Sequence, residues 1–301
     1  MNLSGILFFP VTPFTASGAV ALDRLEEHIS SRLPFSPGAV FAACGTGEFH
    51  ALSAAEVRSV VAATVRVVGD RVPVVAGTGG PLGHAVECAR AAEEEGADAL
   101  LVLPPYLVGA SVDGTVAYVR ALLDATALPV VLYHRGSAQF TPEAMAALAI
   151  DPRVIGFKDG VGDLGTAQAV VRAVRSAGRD DFLFFNGLLT AEISQGAYRG
   201  VGVPLYSSAA FAMAPEVATA YYEAYTANDE ARRLALLDVF YAPLVRLRDR
   251  GPGYAVSLIK AGLRLTGTPV GSVRPPLLDP DPEHERELAR ILDAGRAFIA
   301  G

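Results

Sequence analysis

Eight short apolar runs, each closed by turn-forming residues and most followed by a helical pattern, leave this chain few architectures to choose from. They fall at 5–9, 39–44, 72–76, 99–103, 130–133, 153–158, 182–185 and 201–206. Continuous apolar runs, in place of strict alternation, suit parallel strands covered on both faces. Eight of them alternating with helices over roughly 210 residues predict an α/β fold, the (β/α)8 barrel. Pro204 weakens the eighth run, because proline lacks the donor a strand ladder needs. Two helix starts are spelled out locally. Ser53-Ala54-Ala55-Glu56 is a capping box, and Thr141-Pro142-Glu143 places threonine at the N-cap and proline at the first helical position. After Phe211 the strand pattern stops, and helices are predicted at about 215–228, 229–248, 255–265 and 282–299. The expected organisation is a barrel over 1–212 and a helical C-terminal extension over 213–301 packed on it.

Two of the 25 basic residues are lysines, Lys158 and Lys260; the rest are arginines. Lys158 ends the apolar run Val154-Ile155-Gly156-Phe157-Lys158 and is followed by Asp159-Gly160, so a buried strand delivers one amine to a glycine turn. Burial disfavours the ammonium and frees the amine to attack a carbonyl and form a Schiff base. The alternative is a structural lysine paired with Asp159.

Active sites of such barrels lie at the C-terminal ends of the strands. The polar residues there are Thr46, Glu48, Tyr106, Tyr133, His134, Arg135, Lys158, Asn186, Ser207 and Ser208. Gly45-Thr46-Gly47 is a turn whose N–H groups and hydroxyl suit a carboxylate, although an ordinary βα turn looks the same. Tyr133 is placed to shuttle protons for imine chemistry, or else to plug the barrel. His134 has no second ligand at a metal-binding spacing, so no metal site is expected. Glu48 reads as an interior anchor for its loop, and Lys260 as a buried helical ion pair. Gly77-Thr78-Gly79-Gly80 lacks the lysine and spacing of a phosphate loop.

The remaining composition narrows the partners. With 51% apolar and 19% charged residues a large core is available. A net charge of −7 with no basic cluster argues against nucleic acid. Two cysteines, Cys44 and Cys88, without a CxxC fit a reducing cytoplasm. No signal peptide is expected, for want of a basic n-region and cleavage site. The longest apolar run, ended by Pro104-Pro105, is far short of the about 20 residues a membrane helix requires.

Lined up in order, Thr46-Gly47-Glu48, Tyr133 and Gly156-Phe157-Lys158-Asp159 resemble the motifs of the dihydrodipicolinate synthase / N-acetylneuraminate lyase superfamily over nearly the whole length. Several stretches are most similar to its 5-dehydro-4-deoxyglucarate dehydratase branch. They are Gly45 to Phe49, Gly156 to Asp163, Asn186-Gly187, Tyr206 to Ala209, Gly253 to Ser257 and Lys260-Ala261-Gly262. The chain departs from the synthase branch at Gly45, where that branch has a proton-relaying threonine, and at Leu107, where its second tyrosine falls. His134-Arg135 stands where the dehydratase branch carries Asn-Arg.

The resemblance implies a decarboxylating dehydratase acting on a keto sugar acid through a Schiff base on Lys158, with Tyr133 moving protons and no cofactor. It also implies substrate contacts from Gly45, Thr46, Gly47, Asn186, Ser207 and Ser208, and a homo-oligomer, a tetramer. The alternatives are a class I aldolase or a dihydrodipicolinate-synthase-like enzyme using the same lysine, and a keto-acid sensor that binds without turnover.

Overall fold

The computed structural model describes residues 3–301, so the first two positions of the expected barrel lie outside it. Its strands are β1 (Leu7–Phe8), β2 (Ala39–Ala42), β3 (Val74–Thr78), β4 (Ala99–Val102), β5 (Val130–His134), β6 (Val154–Asp159), β7 (Leu183–Asn186) and β8 (Leu205–Ser208). They form a closed barrel in sequence order, all parallel, with Leu7 opposite Ser207 completing the ring. This is the (β/α)8 fold. Between the strands run α1 (Leu22–Ser30), α2 (Ala54–Val68), α3 (Leu82–Glu94), α4 (Val112–Leu123), α5 (Pro142–Leu148), α6 (Leu164–Ser176) and α7 (Gln195–Gly200).

Local chemistry sets these boundaries. Ser53 and Glu56 form the reciprocal capping box at the start of α2. Thr141 caps α5 through the Ala144 N–H, with Pro142 at the first helical position. The eighth strand begins later than the apolar run suggests, at Leu205 and not at Val201, because Pro204 cannot donate to the ladder.

Beyond the barrel come α8 (Ala210–Met213), α9 (Pro215–Ala227), α10 (Glu230–Leu236), α11 (Ala242–Arg248), α12 (Tyr254–Leu265) and α13 (Pro282–Ala300). The predicted single helix over 229–248 is interrupted by a π-helical stretch, Leu237–Tyr241. Pro243 supplies the reason: it has no N–H, and its ring would strike the carbonyl four residues back in a regular α-helix. Apolar faces of these helices share one core with the barrel, through Phe211, Tyr221, Phe240, Leu258 and Leu292.

Candidate active site

The mouth of the barrel opens into a cavity of about 660 Å3 lined by Phe9, Gly45, Thr46, Tyr133, Arg135, Lys158 and Ser207 from the strand ends. The segment after the barrel closes its other side with Leu244, Arg248, Tyr254, Val256 and Ile259 from helices and Leu277 from the loop between α12 and α13.

Lys158 reaches this cavity from β6, only 5% exposed. Its Nζ lies 4.3 Å from the centre of the Phe9 ring and 4.5 Å from that of Tyr133. No carboxylate among the described residues pairs with it. Asp159 points out of the barrel, where it accepts the Val161 N–H at 2.9 Å and the hydroxyl of Tyr198. The structural Lys158–Asp159 pair is therefore excluded by strand alternation: neighbours along a strand face opposite sides. Burial pushes the Lys158 amine down to about 7, and the Arg135 guanidinium adds to the fall. Cys44 supplies no counter-charge, because burial pushes its thiol up to about 12.

Tyr133 stands opposite Lys158 in the β5–β6 register. Its hydroxyl donates to the Gly187 carbonyl at 2.7 Å and accepts from Arg135 Nη1 at 2.8 Å. Burial raises its pKa, and Arg135 opposes that rise. Gly160 leaves room for the ring, since a Cβ there would stand 2.6 Å from Tyr133 Cε2.

The Gly45-Thr46-Gly47 turn borders the cavity through Gly45 and Thr46, while Gly47 lies behind them with its carbonyl held by the Thr12 hydroxyl at 2.6 Å. The N–H groups of Thr46 and Gly47 donate to no protein acceptor among the described residues, whereas the Glu48 N–H returns to the Gly45 carbonyl at 3.1 Å. Such a turn can receive an anion.

Two expected substrate contacts fall elsewhere. Asn186 is fully buried behind β7, its amide donating to the Ala191 carbonyl and to Ser194 Oγ at 3.0 Å each, and to Gln195 Oε1 at 3.2 Å. Ser208, also fully buried, donates to Glu192 Oε1 at 2.6 Å. Both have the parity of Asp159, facing the helices, and neither lines the cavity. Ser207 has the opposite parity and does line it.

His134 faces outward too. Its Nδ1 accepts the Phe140 N–H at 2.9 Å, and burial holds its pKa below the ordinary value. Among the described residues no group of three or more His, Cys, Asp or Glu side chains converges on a metal position. Among the described residues no helix is long and apolar enough to cross a membrane.

Arg135 was given no role from the sequence, although its spacing of two from Tyr133 puts both on one strand face. Tyr254 falls in the Gly253 to Ser257 stretch already noted for its likeness to the dehydratase branch, whereas Ile259 and Leu277 carry no such signal, since they depend on how the C-terminal segment docks.

Residues 2–295 match the dihydrodipicolinate synthetase family. The chain is 51% identical over 296 residues to a protein of Streptomyces avermitilis named "Probable 5-dehydro-4-deoxyglucarate dehydratase 1", covering 98% of this chain and 95% of that one. It is 52% identical over 300 residues to a "Probable 5-dehydro-4-deoxyglucarate dehydratase" of Streptomyces griseus subsp. griseus, covering 99% and 94%. Among solved structures, dihydrodipicolinate synthase from Bacillus clausii superimposes with a TM-score of 0.89 at 25% identity, covering 98% of each chain.

Proposed function

The chain belongs to the dihydrodipicolinate synthetase family, and from that premise we propose that it converts 5-dehydro-4-deoxy-D-glucarate to 2,5-dioxopentanoate, water and CO2. The observation that carries this reading is the amine of Lys158, buried without a counter-ion in a cavity it shares with a phenol. An amine so placed is held near neutrality, ready to add to a ketone.

In this mechanism the Thr46 turn holds the carboxylate beside the C5 ketone while Lys158 adds to the carbonyl. Tyr133 gives its proton to the carbinolamine hydroxyl, which leaves as water. The resulting phenolate, stabilised by the Arg135 N–H, takes a proton from C4 and forms the enamine. Reprotonated Tyr133 then serves the C3 hydroxyl as it departs, leaving an unsaturated iminium. That longer electron sink accepts the pair released when C1 leaves as CO2. A proton returns to C4, hydrolysis frees Lys158, and the C2 enol becomes the aldehyde. Positioning decides which bond breaks. One amine drives both eliminations, so the reading requires no added cofactor.

The same reading makes the protein a cytoplasmic enzyme, in keeping with two free cysteines. It also makes the protein a homotetramer, in keeping with Leu82, Tyr106, Leu107 and Val108 left exposed. The deciding experiment supplies the purified protein with the deoxyketoglucarate and follows CO2 and 2,5-dioxopentanoate. Borohydride added during turnover is expected to fix a mass adduct on the Lys158 peptide. Release of pyruvate without CO2 would identify an aldol cleavage instead, and binding without any product a sensor.

A further inference from the structure

The second lysine is not used by this chemistry, yet it is the more deeply buried of the two. Lys260 lies on α12 with no exposed surface, its Nζ 2.6 Å from Glu48 Oε1 and 4.0 Å from the centre of the Phe14 ring. It also donates to the Ser272 carbonyl at 3.0 Å. Glu48, equally buried, accepts the backbone N–H of Arg274 on Oε2 at 2.8 Å. Both ends of its carboxylate are thus held by the segment that follows the barrel.

Glu48 directly follows the Gly45-Thr46-Gly47 turn, whose Gly45 and Thr46 border the cavity. Its backbone is left-handed, with φ at 57°, a conformation that costs a residue with a Cβ on the order of 1 kcal/mol. Something must hold it there. An ion pair with no solvent exposure is a poor device for stability alone, because apolar side chains of the same volume commonly do as well or better. What such a pair supplies is a fixed position. Here the fixed object is the end of the Gly45-Thr46-Gly47 turn, and the fixing group comes from the C-terminal helices.

We infer that Lys260 and Glu48 are positioning residues for substrate. Their contact holds the turn so that the Thr46 N–H and hydroxyl meet the carboxylate of a 2-oxo acid, and thereby selects such acids over simple ketones. The inference rests on the Schiff-base and carboxylate-turn readings given above. With Lys260 shortened and neutral, Glu48 is left as a buried carboxylate without its counter-ion; it turns away and Thr46 loses its aim. Lys158, on β6, touches neither residue and keeps its reactivity.

The test is borohydride trapping on Lys158 of pyruvate and of hydroxyacetone, a ketone without a carboxylate, with rates followed by intact mass. The native protein is expected to favour pyruvate. Lys260→Met is expected to lose about tenfold or more of that preference, the scale of one or two charge-assisted hydrogen bonds, while hydroxyacetone trapping stays within about twofold. The double variant Glu48→Gln with Lys260→Met strands no charge and is expected to fold and to show the same loss. A folded double variant that keeps the preference overturns the inference. An unfolded one overturns it equally, by showing that the pair serves the fold. No trapping of either ketone by the native protein removes the Schiff-base reading itself, and trapping without preference removes the carboxylate turn.

Discussion

Lys158 lies directly against Gly187: a Cβ at position 187 would stand 2.6 Å from both Cγ and Cε of the lysine. The carbonyl of the same glycine accepts the Tyr133 hydroxyl at 2.7 Å. One residue on the loop after β7 therefore sets the place of both the amine and the phenol. Gly187→Ala is expected to lower kcat/KM by about a hundredfold, the scale of a displacement near 1 Å, and to lower Tm as well, because the Cβ also meets the Asp159 carbonyl at 2.9 Å. Unchanged turnover in a folded variant would show that the lysine does not depend on this contact.

The amine of Lys158 must be unprotonated to add to a ketone, and its pKa is held at about 7. The pH profile of kcat/KM, which reports the free enzyme, is expected to rise through that value and level off above it. Arg135 is one of the groups lowering the pKa, so Arg135→Leu is expected to move this limb to higher pH. A limb that stays in place would separate Arg135 from the lysine.

Tyr133→Phe removes the hydroxyl proposed to carry the proton and keeps the ring beside Lys158. A fall in kcat of about 10²–10⁴ is expected, with smaller loss in the rate at which borohydride traps a pre-formed pyruvate imine. Stopped-flow turnover against single-step trapping distinguishes the two. Equal losses in both would assign the tyrosine to positioning alone.

His28 offers a test of stability away from the site. It is fully buried on α1 against Phe8, both ring nitrogens lack a partner among the described residues, and burial followed by the nearby Arg32 lowers its pKa to about 3. Above the ordinary value of 6.5 the ring is neutral whether the chain is folded or not. Between 6.5 and about 3 the unfolded chain binds a proton that the folded one refuses, so stability falls as pH falls, by about 1.4 kcal/mol per unit. His28→Leu is expected to remove this slope, gaining on the native protein by about 2–3 kcal/mol in urea melts near pH 4.5. Parallel losses in both proteins would show that other groups govern acid unfolding.

Much of this was legible in the residues themselves. The eight apolar runs marked eight strands because each is buried on both faces, and the capping box and Thr-Pro start marked α2 and α5 because their hydrogen bonds are local. Lys158 stood out because a cation in an apolar strand demands a reason. Face was harder to read. Asn186 and Ser208 sit at strand ends like Ser207, but a step of one residue turns a side chain from cavity to helix, and Pro204 moved the start of the eighth strand. The break before Pro243 is missing from the single helix expected over 229–248, although proline's absent donor marks it. Tyr254 sits in a stretch whose likeness to the dehydratase branch is legible, but that it forms a wall with Ile259 and Leu277 could not be read, since that wall arises between elements far apart in the chain.

That wall divides the gene's labour in two. The amine and phenol are written in the first two thirds of the coding sequence, whereas much of the surface a substrate's far end would meet is written in the last third. Changes confined to Tyr254, Ile259 and Leu277, with Lys260 kept, are thus expected to alter which acids fit while leaving Lys158 and Tyr133 in place. Laboratory evolution seeking new substrates has its most permissive ground there.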